Sequence, residues 1–373
     1  MNTQDLLKLP GVVGFGHGTK STGGRDTGKA AIRVYVKKKL PLALISSSGV
    51  VPPTVRDGEA DIITDVVEVG DVRALQDNKS KFRPVIGGIS ISPGLFHLAG
   101  TGGLVVERYG MPMLLTNNHV CRMSFLTDPA ARPQKGEYIR QPAYTDNGKV
   151  SDSIGVLEDY VEMSFPGPNE VDCALVKIKV DSLPIIAGLD VPAGITSPVK
   201  GHAVSKSGRT SGITTGTVTD TDVTIQVNYS NNPAAPIMAT MTGQILTTPM
   251  MQPGDSGSVM LDGDKVVALG FAGSDQVSIA TPIIKVMDAL RINIPLAHDT
   301  REIALYLTGK FIIWGFNAPA QKWLCYDPNY PGSDLLCLVA GLGYWLQTDT
   351  EQILQHHGIS WALSRGWNNI GWR

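Results

Sequence analysis

The chain has 373 residues, 42% of them hydrophobic and 18% charged, so it carries enough apolar material for a large core and enough length for two or three domains. A formal net charge of -2 excludes a broadly basic surface, and with it nucleic acid as the expected partner. Glycine at 41 and proline at 24 suit many short strands joined by turns, and no stretch is long and apolar enough to span a bilayer.

In chain order, Met1 to Asp5 lacks the cationic start and apolar core of a secretory signal, which predicts a cytoplasmic protein, with export by another route left open. Runs such as Gly11 to Gly16, Ala31 to Val36 and Ile62 to Val69 read as strands around a turn-rich middle, and residues 1–72 are expected to form a small α/β accessory domain. Gly14-Phe15-Gly16-His17-Gly18 lacks the strand–helix context of a phosphate loop, and Lys37-Lys38-Lys39 reads as a solvated strand end. Such a domain can inhibit, recruit a partner or stabilise, and the sequence leaves all three open. Residues 73–83 are polar and read as a linker.

The central region, 84–296, opens with an apolar strand, Pro112 to Thr116, that ends just before His119. Another strand, Ala174 to Ile178, starts just after Asp172. Val223 to Tyr229 alternates apolar and polar residues, as a strand with one buried face does. Asp262-Gly263 between two apolar runs predicts a hairpin. Thr281 is placed to cap a helix that begins at Pro282 and buries Ile283, Val286, Met287 and Leu290. Residues 300–373 hold all six tryptophans in short aromatic strands, expected to be core and to carry no chemistry.

Three segments point to chemistry. Leu115-Thr116-Asn117-Asn118-His119-Val120, Glu170-Val171-Asp172-Cys173 and Pro253-Gly254-Asp255-Ser256-Gly257-Ser258 present a histidine, an aspartate and a serine, each where a strand meets a loop. A serine hydroxyl becomes a useful nucleophile when an imidazole takes its proton and a carboxylate orients that imidazole. Gly254 and Gly257 flank Ser256 where the Gly254 and Ser256 amides must converge into an oxyanion hole. The expected roles are therefore nucleophile for Ser256, general base and acid for His119, and orienting carboxylate for Asp172. No metal or organic cofactor is expected, because His17, His97, His202, His298 and His356-His357 form no convergent ligand set. Cys121 and Cys173 read as small buried thiols, and pairing of Cys325 with Cys337 is left open.

These segments resemble the signature segments of chymotrypsin-like (trypsin-fold) serine proteases, which also run in the order His, Asp, Ser. Ser207-Gly208-Arg209-Thr210-Ser211-Gly212 resembles a strand of the bacterial streptogrisin-type members, and Lys265 to Phe271 with Ser278 to Ile283 is similar to the last strands of HtrA-type domains. The resemblance implies a mainly β protein with a two-barrel protease domain over residues 84–296 and a peptide or protein substrate. It further implies an Arg209–Asp255 ion pair that forms the site without zymogen cleavage, although Val85-Ile86-Gly87-Gly88 imitates an activation sequence. It also puts Met250 and Met251 at the floor of the primary pocket, with Phe271, Ala272 and Gly273 on its wall and an apolar preference before the scissile bond. The C-terminal residues, ending in Gly366-Trp367-Asn368-Asn369-Ile370-Gly371-Trp372, resemble small β modules appended to bacterial extracellular proteins. A catalytically silent scaffold and an esterase with the same three residues are the alternative readings.

Overall fold

The computed structural model describes the chain except residues 24, 43, 44, 46–48, 71, 73–76, 95, 190, 231, 233, 296, 318–321, 331, 332, 334, 340, 341, 357, 358 and 373. Part of the expected linker, 73–76, and His357 of the expected histidine pair thus lie outside the described residues. The protein is mainly β.

The first unit is a sheet of strands Val12–Thr22, Arg25–Val36, Ala60–Glu68 and Thr54–Asp57, in that order. Its core of Leu6, Leu9, Ile32, Val34 and Val55 lies under a short 3-10 helix, Thr3–Lys8. The expected α/β character is corrected here, since residues 1–72 contain no α-helix among the described residues. The Gly14 to Gly18 run serves packing: Tyr35 lies against Gly14 and Gly16, and Arg33 lies against Gly18.

In the centre, strand pairings run around two rings. Ile89–Pro93 pairs with Tyr138–Arg140, then Ser153–Tyr160, Ala174–Ile178, Met111–Thr116 and Leu104–Arg108. The last continues through Gly103 into Gly100–Gly102, which pairs back onto Ile89–Pro93. The second ring runs Ala203–Gly208, Gly212–Asn228, Met238–Thr247, Ser278–Pro282, Lys265–Gly273 and Val259–Asp262, and returns to Ala203–Gly208. Asp262 pairs with Lys265 across the expected hairpin, where Gly263 takes a φ of 61°. The helix Ile283–Leu290 buries Ile283, Val286 and Leu290 as its apolar spacing requires. Its cap differs from expectation, because Pro282 occupies the N-cap and Thr281 donates instead to Gln244 Oε1 at 2.8 Å.

The C-terminal sheet orders Lys322–Tyr326, Phe311–Asn317, Gly343–Thr348 and Gly366–Gly371. Register puts the four tryptophans on its strands, Trp314, Trp323, Trp345 and Trp367, on one face. Trp361 stacks on the buried Trp372 at 4.7 Å, in line with the expected aromatic core. Trp323, Trp345 and Trp367 instead face outward and are exposed, Trp345 directly opposite Trp314 and Trp367 opposite Gln347.

The described end of the expected linker is docked. Asn78 is buried, and its Nδ2 donates to Ser207 Oγ at 2.9 Å and to the Gly208 carbonyl at 2.8 Å. Lys81 pairs with Asp152 at 2.7 Å, and Arg83 bonds Gln141. Removing one partner of a buried hydrogen bond leaves the other unsatisfied, at about 1–3 kcal/mol each. Asn78→Ala should therefore lower stability by about 1–3 kcal/mol or somewhat more. Urea unfolding of the full chain measures this, and an unchanged midpoint would show that the segment is not part of the cooperative unit.

Candidate active site

His119 sits in a single helical turn, Asn118–Cys121, directly after the strand Met111–Thr116. That turn is pinned by its asparagines: Asn117 Nδ2 donates to the Asp172 carbonyl at 2.6 Å, and Asn118 Nδ2 donates to the Val161 carbonyl at 2.6 Å. His119 Nδ1 then meets Asp172 Oδ2 at 2.6 Å, and the His119 amide donates to Oδ1 at 3.2 Å. A carboxylate can only accept, so the imidazole proton belongs on Nδ1, and Nε2 is left as a proton acceptor. Asp172 is fully buried while the His119 side chain retains 18% exposure. The phenol of Tyr229 donates to the same Oδ2 at 3.0 Å.

Ser256 follows a tight turn with a readable cause. The Asp255 amide donates to the Gln252 carbonyl at 2.9 Å, with Pro253 second and Gly254 third at a φ of 98°. Proline then left-handed glycine is the sequence of a type II turn. Gly257, at φ 96°, is required by space as well, since a Cβ there would lie 2.0 Å from the Thr101 carbonyl oxygen. The amides of Asp255, Gly257 and Ser258 all find backbone acceptors. Those of Gly254 and Ser256 donate to none among the described residues, as donors kept for an incoming oxyanion would. Ser256 Oγ donates to the Phe271 carbonyl at 3.1 Å, so the serine is not engaged with His119 in this structure. The chain segments that carry them approach each other around Gly100, where an added Cβ would touch both the Val120 side chain and, at 3.2 Å, the Ser256 carbonyl oxygen.

The cation that serves Asp255 is Lys206, and this corrects the expected Arg209–Asp255 pair. Lys206 Nζ lies 2.9 Å from Asp255 Oδ2, and neither side chain has any exposure. Asp255 also accepts from the amides of Thr210 at 2.8 Å, Ser211 at 3.1 Å and Gln252 at 2.9 Å, and from Ser211 Oγ. Burial works to raise the Asp255 carboxyl, but the Lys206 charge and these donors outweigh it and hold it below its ordinary value. The physical reason is strand parity: Lys206 shares a face with buried Val204, whereas Arg209 lies past the end of Ala203–Gly208. Arg209 instead grips Asp146 with two bonds of 2.6 Å, and so ties the second ring to the first. Burial also opposes the charge on Asp146, and Arg209 and Ser90 overcome it.

The expected pocket residues separate. Met250 is buried among Val204, Val218, Ile245 and Met260, so it belongs to the core of the second ring and not to a cleft floor. Met251 is half-buried, and a Cβ at Gly270 would lie 2.6 Å from its sulfur. The Phe271 side chain is buried with Met163, Met241 and Ile279, while its carbonyl faces Ser256. Ala272 and Gly273 follow along the strand, half-buried and exposed. Burial pushes the thiols of Cys121 and Cys173 well up, which fits inert core cysteines. No helix is long and apolar enough to cross a membrane among the described residues.

Alternation could have found the residues that sequence reasoning missed. Lys206 falls two residues from Val204 in a strand-like run, and Tyr229 continues the inward series Val223, Ile225, Val227. Asp146 carries no such signal, because it lies in a 3-10 turn, Tyr144–Asp146.

No family model matches the chain, and no curated protein matches it. Among solved structures it is similar to a chymotrypsin of Cellulomonas bogoriensis, with 24% identity, 57% of this chain and 98% of that one covered, and a TM-score of 0.40. Protease A of Thermobifida fusca gives 19% identity, 56% and 96% coverage and a TM-score of 0.40. A Nocardiopsis protease gives 18% identity, 56% and 97% coverage and a TM-score of 0.41.

Breaking a buried ion pair by removing one partner costs about 3–5 kcal/mol, because the other charge is stranded. Lys206→Met should therefore destabilise by about that amount, more than Arg209→Ala does, and Lys206→Met combined with Asp255→Asn should recover much of the loss. Chemical denaturation of the variants decides it, and an Arg209→Ala loss exceeding that of Lys206→Met would contradict the assignment. A second expectation concerns acid. Because the folded Asp255 carboxyl titrates below its ordinary 3.8, its contribution to stability is complete above that value and lost as pH falls through the lower folded one. Stability measured downward from about pH 4 should fall less steeply in the double variant than in the parent.

Proposed function

We propose that the protein is a serine endopeptidase whose catalytic residues are His119, Asp172 and Ser256. The observation that carries this reading is the 2.6 Å bond between His119 Nδ1 and a fully buried Asp172, which leaves Nε2 ready to take a proton beside the Ser256 turn. Rotation about the Ser256 Cα–Cβ bond moves Oγ from the Phe271 carbonyl to His119. Oγ then attacks the scissile carbonyl carbon as its proton passes to Nε2, and the oxyanion is held by the Gly254 and Ser256 amides. The proton goes on to the leaving amine as the carbon–nitrogen bond breaks. Water, deprotonated in turn by His119, then releases the acyl group from Ser256.

The peptide is read as an added strand along Phe271 to Gly273. On that side the backbone bonds of Lys265–Gly273 end at Gly270, whose carbonyl and amide serve Gly257 and Ser258, so Phe271 to Gly273 are left for pairing. No acidic side chain stands among Met251, Ala272 and Gly273, the expected pocket residues left outside the core, which supports an apolar residue before the scissile bond. The site is read as formed without zymogen cleavage, since Asp255 already has its cation in Lys206 and the Val85 amide donates to the Asp181 carbonyl at 2.7 Å.

A fluorophosphonate probe should label Ser256 of the intact protein, and Ser256→Ala should abolish labelling and lower peptide turnover by roughly a millionfold in the chemical step. Failure of the parent to label would favour a silent scaffold. Turnover of simple esters without cleavage of any library peptide would favour an esterase.

A further inference from the structure

Tyr229 is the least expected neighbour of the candidate catalytic residues. It ends the inward-facing series of the hairpin formed by Gly212–Asn228 and Met238–Thr247, and its ring is packed with Ile225, Val227 and Phe271. The hydroxyl reaches Asp172 Oδ2 at 3.0 Å, the oxygen that also holds His119 Nδ1 at 2.6 Å. Two edge-to-face contacts fix the ring, one to His119 with centroids 5.6 Å apart and planes at 70°, the other to Phe165 at 5.5 Å and 82°. The remaining contact of the hydroxyl is Met241 Sδ at 3.8 Å, a weak acceptor, so Asp172 takes the proton.

We propose that Tyr229 is a positioning residue for the His119–Asp172 pair: its phenol fixes the plane of the Asp172 carboxylate and shares the Oδ2 charge with the imidazole. The proposal rests on the endopeptidase reading for its kinetic consequence but not for its structural one. Asp172 is fully buried, and beyond its contacts to His119 its carboxylate has only this hydroxyl as a donor among the described residues. Without it the carboxylate keeps its two bonds to His119, at the amide and at Nδ1, and loses the contact that holds it from the second ring. Burial and the Asp172 charge push the phenol well above its ordinary value of 10, so it stays a proton donor through the neutral and mildly alkaline range. Because Tyr229 comes from the second ring and His119 from the first, the bond also sets the imidazole against the ring that carries Ser256.

The test uses the full-length protein with histidine labelled in its ring nitrogens. The His119 Nδ1 proton, hydrogen-bonded to a carboxylate, gives a low-field proton resonance that can be followed whether or not the protein hydrolyses anything. In Tyr229→Phe, which keeps the ring and its packing, that resonance should move downfield, since Oδ2 then serves the imidazole alone. Site-specific 3,5-difluorotyrosine at 229, a stronger donor of nearly the same shape, should move it upfield. A resonance unchanged in both variants overturns the proposal. Fluorophosphonate acylation of Ser256 should fall by roughly 10- to 100-fold in Tyr229→Phe, the rate equivalent of one hydrogen bond to a charged group. Peptide KM should stay unchanged. A parent protein that shows the resonance shifts but never labels at Ser256 keeps the Tyr229 assignment and rejects the endopeptidase reading. Unshifted resonances with normal labelling do the reverse.

Discussion

Lys206 and Asp255 form their ion pair where neither can reach water, and the geometry around Ser256 depends on that pair. Two desolvated charges cost several kcal/mol each, repaid only when the remaining lone pairs and protons are also satisfied. Here they are. Asp255 accepts from three amides and a hydroxyl besides the ammonium, and Lys206 donates also to Ser211 Oγ and, at 3.2 Å, to the Gly212 carbonyl. Each of these bonds anchors a point on the chain around the turn. With Asp255 held from below, the peptide units on either side of it have one orientation, and the Gly254 and Ser256 amides are left facing outward. Asn78 extends the support by fixing Ser207 and Gly208, the residues between the lysine and the amides that bind Asp255.

The other half of the site is built across the seam between the two rings. His119 comes from one ring, Tyr229 and Ser256 from the other, and Asp172 lies where they meet. Contacts of different strength hold the seam closed: the two-bond grip of Arg209 on Asp146, the Thr101 amide on the Ser256 carbonyl at 2.8 Å, and the Thr101 hydroxyl on the Gly254 carbonyl at 2.9 Å. A strand interrupted only at Gly103 carries Thr101, so the first ring's closure and the placing of Ser256 use the same few residues. Charge-assisted bonds of this bidentate kind set direction as well as distance.

Much of this was legible in the residues. Pro253-Gly254 announces its turn, Asp262-Gly263 its hairpin, and the apolar runs before His119 and after Asp172 their strands, because each depends on local backbone preference. What was missed depends on partners far apart in sequence. The resemblance of the Gly208-Arg209-Thr210 segment suggested that an arginine would serve Asp255, and strand parity chose a lysine three residues earlier. The same resemblance put Met250 at a pocket floor, and packing with Val204, Val218, Ile245 and Met260 took it into the core. Tyr229 was visible as the end of an alternating run, but that its hydroxyl would meet Asp172 required the fold of the whole second ring. The C-terminal tryptophans, expected inside as a group, are divided too: those on the four-stranded sheet share its outer face, and the Trp361–Trp372 stack lies off that sheet.

That division gives the protein a built-in optical label. All six indoles lie between Trp314 and Trp372, and none lies in the two rings or in the first sheet. Indole emission therefore senses the C-terminal unit alone, with Trp361 and Trp372 in apolar surroundings and Trp323, Trp345 and Trp367 in water. Backbone circular dichroism, by contrast, averages over every strand in the chain. A denaturation followed by both signals separates the melting of the appended unit from that of the rings that carry Ser256, without any added dye or engineered reporter.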